Sequence, residues 1–170
     1  MTSTNDDSTA GSGDAFGLWS DLRTWRQRAT PEGCPICQSV NSDGQPEDSL
    51  VALDASWVTA PRRAPLPGYV CLVARRHVIE PYQLPEPEQR AFFAEAMGTA
   101  RAVAELVRPV RVNYEIHGNS IPHLHLHIYP RHAGDPFVGG PVDLRHLPFT
   151  RSDEQLAALG DAIRAACARG

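Results

Sequence analysis

An α+β fold with a mainly antiparallel sheet is what this chain predicts, and three observations carry it. Short β-type runs are spread along the 170 residues. One long stretch and one C-terminal stretch place apolar residues at helical spacing. Strands and helices do not alternate in the regular way that βαβ units require.

The elements follow in order. Residues 1–15 are Ser/Thr/Gly/Asp-rich with no apolar core, which reads as a disordered tail and not as a signal peptide. A single domain is expected over 16–150, with 151–170 forming a helix packed on it. Leu18, Trp19, Leu22 and Trp25 recur at helical spacing, and the stretch from Arg28 to Pro35 breaks that helix. Asn41 to Glu47 are turn formers and mark an exposed loop. Leu50–Leu53, Trp57–Thr59 and Tyr69–Ala74 read as strands, the last two joined by a rigid connector containing Pro61, Pro65, Pro67 and Gly68.

Pro87–Val107 is the long helix, with apolar residues at Phe92, Phe93, Ala96, Met97, Ala100, Val103, Leu106 and Val107. Pro85 and Pro87 stand at its start and Pro109 beyond its end. Two further strands, Arg111–Ile116 and His123–Tyr129, are linked through Gly118-Asn119-Ser120. Pro130–Pro148 reads as loop. Ser152 with Gln155 three residues on is a capping-box pattern, and Leu156, Leu159, Ile163 and Cys167 form the stripe of the final helix.

Composition excludes several classes of function. The 16 Lys+Arg against 20 Asp+Glu give a net charge of −4, too acidic for a general binder of phosphate backbones. No segment approaches the ~18 continuous apolar residues of a membrane span. The four cysteines do not form a disulfide framework. Cys34 and Cys37 make one C-P-I-C pair, while Cys71 and Cys167 read as buried small hydrophobes, so a cytoplasmic protein is expected.

Chemistry concentrates in His123-Leu124-His125-Leu126-His127-Ile128. This is strand periodicity, so the histidines share one face and the aliphatic residues the other. Lining a strand with groups that titrate near neutral pH does little for stability, so the side chains are expected to do chemistry or bind metal. One imidazole can serve as nucleophile or general base, and its neighbours can donate to developing negative charge. Asn119, Ser120 and Arg131 add donors suited to phosphate oxygens.

Cys34-x-x-Cys37 alone fits a turn, a redox pair or half a zinc site. Zinc wants four N/S ligands, and His77 and His123 are the natural complements. A Cys34/Cys37/His77/His123 set would be closed, so its Zn2+ would be structural; a metal-free arrangement is the other reading. Arg75 and Arg76 either steer an anionic substrate or are simply solvated. Trp57 reads as a core aromatic and His132 and His146 as surface residues, while His117 belongs to no clear motif.

The run Gly118-Asn119-Ser120-Ile121-Pro122-His123-Leu124-His125-Leu126-His127-Ile128 resembles the signature of the histidine triad (HIT) superfamily. The upstream run Pro67-Gly68-Tyr69 through Arg75-Arg76-His77 resembles that family's strand ending in a basic pair and a histidine. The likeness spans roughly Cys34 to Asp135. It implies a HIT-like fold and a nucleotidyl hydrolase or transferase, in which His125 attacks an α-phosphate to form a nucleotidyl-histidine. It implies also that His127 and Ser120 contact the phosphate, with Asn119 assisting.

Zinc-bearing members resemble this chain in pairing a C-x-x-C with the upstream histidine and the first triad histidine. Asn119 stands where many members have Gln. Pro130-Arg131-His132-Ala133-Gly134-Asp135 looks like the dinucleoside-polyphosphate branches, with Arg131 a candidate to hold polyphosphate. The resemblance implies a nucleotide or nucleotide-conjugate substrate and a homodimer with joined sheets. A dinucleoside polyphosphate phosphorylase remains open, as does a non-catalytic zinc-binding or interaction protein. The second of these leaves His125 and His127 without a purpose.

Overall fold

A computed structural model describes residues 21–168, apart from Asp43, Glu47 and Val138. The tail expected over 1–15, and Leu18 and Trp19 of the first helix, lie outside the described residues.

Helix α1 (Leu22–Arg28) starts at Asp21, whose carboxylate accepts from the amides of Arg23 and Thr24 at 3.1 Å. That satisfies two of the donors a helix start leaves open. The four-residue α2 (Pro35–Gln38) opens with proline at its first position. Strands β1 (Ser49–Ala52), β2 (Ser56–Thr59), β3 (Arg63–Ala64) and β4 (Val70–Ala74) come next. Then follow a 3-10 turn at Pro81–Gln83 and α3 (Glu86–Val107), then β5 (Arg111–Ile116), β6 (His125–Arg131), β7 (Phe149–Thr150) and α4 (Asp153–Cys167).

Five strands form one antiparallel sheet in the order β1-β2-β4-β6-β5, as the strand-rich, non-alternating sequence predicts. Its register aligns Val58, Leu72 and Leu126 in one row and Thr59, Cys71, His127 and Glu115 in the next. Alternate rows face opposite sides. The side carrying Val58, Val70, Leu72, Leu124, Leu126 and Ile128 packs on Phe92, Ala96, Ala100 and Val103 of α3 and on Leu159 and Ile163 of α4. The predicted capping box of α4 forms, Ser152 and Gln155 each bonding the other's backbone.

Among the described residues, no long helix covers the opposite side. Trp57, Leu66, Tyr69, Cys71, Val73, Tyr129 and Val142 make a second, smaller cluster there, joined by Ile36, Phe137 and Phe149. This is the side on which His125 and His127 stand.

Three details depart from expectation. The triad strand runs from His125 to Arg131, two residues later at each end than alternation suggested. At its start, the Leu124 amide turns to the Val78 carbonyl at 2.6 Å, outside the β4–β6 ladder. At its end, Pro130 and Arg131 pair with Val112 and Arg111 of β5, beyond Ile128 where β4 stops. A proline is tolerated where only one neighbour strand remains. The connector and the long loop also meet, because β3 pairs with β7 across the chain. Gly68 enables the turn into β4: its φ is +78°, and a Cβ there would lie 2.8 Å from Val107 Cγ2.

Candidate active site and metal centre

Helix α2 and the ends of two strands bring Cys34, Cys37, His77 and His123 together as a candidate metal site. Gly33 passes so close to α1 that a Cβ would sit 1.9 Å from the Gln27 carbonyl oxygen, and this close pass delivers Cys34 to the start of α2. Cys34 and Cys37, three apart on one helical turn, present their thiols together. His77 follows β4 and His123 precedes β6. Cys34 Sγ lies 3.4 Å and Cys37 Sγ 3.6 Å from His123 Nδ1; Cys37 Sγ lies 3.3 Å from His77 Nδ1; the two Nδ1 atoms are 3.2 Å apart.

A tetrahedral zinc with its usual bond lengths sets N–N edges of about 3.3 Å and N–S edges of about 3.6 Å. The cluster therefore has the size of a zinc site, and all four ligand atoms lie within 4.8 Å of one another. Each imidazole donates its other ring N–H to a backbone carbonyl, His123 to Ala74 at 2.8 Å and His77 to Ala29 at 3.1 Å. That fixes Nδ1 as the lone-pair atom, the orientation a metal ligand needs.

The electrostatics agree. Burial, with the Cys34 thiol adding, pushes the Cys37 thiol up to about 12, the opposite of an activated redox thiolate. Burial holds His123 down to about 4, hence neutral.

Beyond the cluster the strand presents His125 and His127. His125 Nδ1–H donates to the His123 carbonyl at 2.6 Å. A carbonyl can only accept, so the Nε2 of the neutral ring carries the lone pair. Burial lowers the His125 pKa and so favours the neutral ring. His127 is nearly buried, at 7 % exposure. Its ring meets that of His125 edge-on at 5.0 Å and stacks on Tyr129 at 5.5 Å. Its Nδ1 lies 2.9 Å from the Tyr69 hydroxyl. Burial above all, with His125 and His117 adding, holds His127 down to about 3.

The two rings are thus closer than the roughly 7 Å of an ideal i, i+2 pair, because they lean together. His123 does not share their surroundings: it has turned from the open side into the cysteine pocket.

The turn carrying Asn119 and Ser120 is gripped by α1. Trp25 Nε1 donates to the Gly118 carbonyl at 2.9 Å, and Arg28 donates to the Ser120 carbonyl at 3.0 Å. The Asn119 and Ser120 side chains have no hydrogen-bond partner among the described residues. Arg131 is engaged locally. It makes a two-pronged ion pair with Asp135 at 2.9 and 2.8 Å and also donates to the Gly140 and Phe137 carbonyls. Its donors organise the 131–140 loop.

Three residues the sequence did not single out belong to the site: Tyr69, Glu115 and His117. His117 lies next to His127, with ring centroids 5.9 Å apart, and bonds Glu115. The signal available was Glu115 near the end of a strand with His117 two residues on, just past that end, a spacing that keeps the two on one side. Of the remaining positions, Trp57 is a core aromatic, 5 % exposed, with the Arg75 guanidinium 5.6 Å from its ring centroid. Arg76 pairs with Glu88 at 2.5 Å. His132, expected on the surface, is half-buried and bonds the Pro67 carbonyl at 3.2 Å.

Comparison with known proteins gives a consistent answer. Residues 44–134 match the HIT domain family. Protein hit of Bacillus subtilis is 27 % identical over 118 residues, which is 62 % of this chain and 77 % of that one. A histidine triad protein from Bradyrhizobium japonicum superposes with a TM-score of 0.62 at 29 % identity, covering 70 % of this chain and 90 % of its own. A Zn-bound histidine triad family protein from Mycobacterium smegmatis shares the fold at a TM-score of 0.54 and 22 % identity, over 82 % of this chain and 96 % of that one.

Proposed function

The chain belongs to the HIT domain family, and we propose that it is a nucleotidyl hydrolase or transferase working through His125. The observation that carries this reading is the bond from His125 Nδ1–H to the His123 carbonyl, which leaves a neutral Nε2 as nucleophile. Attack on the α-phosphate of a nucleotide conjugate forms a P–N bond and releases the remainder of the conjugate. Water or another acceptor then frees the nucleoside monophosphate. Splitting one displacement in two is the usual advantage of a covalent route.

His127 donates its Nε2–H to a phosphate oxygen, with Tyr69 fixing the ring. Ser120 and Asn119, whose side chains have no hydrogen-bond partner among the described residues, supply further donors from the turn that α1 holds. Arg131 contributes by shaping the loop beyond β6. A dinucleoside polyphosphate is the first substrate to try.

Zn2+ held by Cys34, Cys37, His77 and His123 would have no open position, so it would tie the α1–α2 segment to β4 and β6 without activating water. The protein is proposed to act in the cytoplasm as a homodimer joined at β5, an edge strand of the sheet, where Tyr114 and Ile116 are exposed.

The test incubates wild type and His125→Ala with adenylylated and guanylylated dinucleoside polyphosphates and phosphoramidates, with and without phosphate, and identifies products by mass spectrometry. Monophosphate from the wild type alone is expected. A diphosphate product that requires phosphate would mark a phosphorylase, and an active His125→Ala would exclude His125 as nucleophile. For the metal, the Cys34→Ser/Cys37→Ser double variant is expected to lose zinc and several kcal/mol of stability. Stoichiometric zinc retained in it would refute the ligand set.

A further inference from the structure

The open side of the sheet holds an acid–base pair beyond the triad. His117 follows the last residue of β5, and its Nε2 lies 2.9 Å from a Glu115 carboxylate oxygen. The carboxylate accepts, so Nε2 carries a hydrogen and Nδ1 is the working atom. Glu115 is mostly covered, with a side chain 17 % exposed, whereas the His117 ring is 48 % exposed and open to substrate. Glu115 pairs directly with His127 in the β5–β6 register, so carboxylate and triad share one side of the sheet. The rings run in series: His125 to His127 at 5.0 Å, then His127 to His117 at 5.9 Å.

We propose that His117, oriented by Glu115, is the proton donor to the leaving group and the proton acceptor from the incoming water. This rests on the reading of His125 as nucleophile. The geometry leaves few other sources. His127 has its Nδ1 committed to Tyr69 and is buried in its neutral form, suited to hydrogen-bonding a phosphate oxygen and not to releasing a proton. Tyr69 is itself buried, its hydroxyl well above its ordinary range because of that burial. Among the described residues, the imidazole of His117 combines an exposed ring with a carboxylate partner at 2.9 Å, the geometry a group needs to pass a proton to and from substrate. A carboxylate that fixes the ring and stabilises its charged form is a recurring arrangement in acyl and phosphoryl transfer.

The steps balance. His125 Nε2 bonds to phosphorus, the P–O bond to the leaving group breaks, and the departing oxygen takes the bonding pair and the Nδ1 proton of His117. His117 becomes neutral, keeping its Nε2–H on Glu115. Water then attacks phosphorus, the P–N bond returns its pair to His125, and the proton from water goes to His117 Nδ1.

A leaving group that departs readily as an anion needs no such donor. The test therefore compares two probes, the p-nitrophenyl and the simple alkyl esters of adenosine and guanosine 5′-monophosphate, with wild type, His117→Ala and Glu115→Gln. For His117→Ala, kcat/KM on the alkyl ester is expected to fall about 10²-fold or more. On the nitrophenyl ester kcat/KM should stay within about threefold. The slowed water step, shared by both, should then appear as a burst of nitrophenolate. Glu115→Gln should show the same pattern more weakly.

Equal losses of kcat/KM on the two esters would overturn this assignment alone, marking His117 as a binding or structural residue. A wild type that turns over neither ester would overturn the nucleotidyl-histidine reading, and the role of His117 with it.

Discussion

Strand β6 carries two surfaces that differ in everything except their backbone. On one side Leu126 and Ile128, 3 % and 0 % exposed, are buried in the core beneath α3. On the other, His125 is only half-buried, and no long helix among the described residues covers it. Side-chain period two separates the two, so one face supplies stability and the other presents the imidazoles proposed for chemistry. A slip of one residue in register would exchange them, and the aliphatic face makes that slip prohibitive. Stability and catalysis should therefore respond to different substitutions on adjacent residues.

The largest expected effect would break this division if it failed. His125→Ala should lose turnover by about 10⁴-fold or more, as removal of a nucleophile does in enzymes with a covalent step. Its urea midpoint should move little, because the ring lies outside the aliphatic core. Leu126→Ala should do the reverse, costing about 2–5 kcal/mol in urea unfolding while each folded molecule keeps its activity. If Leu126→Ala spared stability but halted turnover, the two faces would not be independent.

A third expectation concerns pH. Unfolded, His127 takes up a proton near its ordinary pKa of 6.5; folded, burial delays this to about 3. Between those values the unfolded state binds more protons, so stability falls as pH falls, by about 2 kcal/mol at pH 5. Urea melts at pH 7 and pH 5 should show the loss in wild type, and His127→Gln should remove that part of the slope. His123 also resists protonation, so the difference between the two proteins is the quantity to read. An unchanged slope in the variant would show that His127 titrates normally in the fold.

The aliphatic face was the legible one. Alternation marked the strands, the 3.6-residue period marked α3 and α4, and the capping box at Ser152 appeared as written. The Cys34/Cys37/His77/His123 cluster was legible too, because metal chemistry restricts residue types so severely. What escaped was decided by distant partners. The pairing of Arg63 and Ala64 with Phe149 and Thr150 has two residues per strand and no periodicity to detect. Nearer in sequence, the ion pair of Arg131 with Asp135 and its bonds to two loop carbonyls form only once the turn after β6 has folded. His117 looks idle beside Gly118 until the register sets Glu115 opposite His127.

Tyr69 gives the smallest effect and the finest comparison, since it belongs to both the minor core and the site. Its ring stacks on Tyr129 at 5.1 Å, a packing contact, while its hydroxyl reaches His127 Nδ1 at 2.9 Å, a contact with the chemistry. Tyr69→Phe keeps the first and deletes the second. A buried nitrogen left without its partner costs about 1–3 kcal/mol, so the urea midpoint should fall modestly. With its ring no longer oriented, His127 should lose part of its hold on the phosphate, and kcat should drop about tenfold, equivalent to about 1.4 kcal/mol of barrier. Stability lost without any change in kcat would place Tyr69 wholly in the core. A kcat loss with KM unchanged would show that the boundary between the two roles runs through a single side chain.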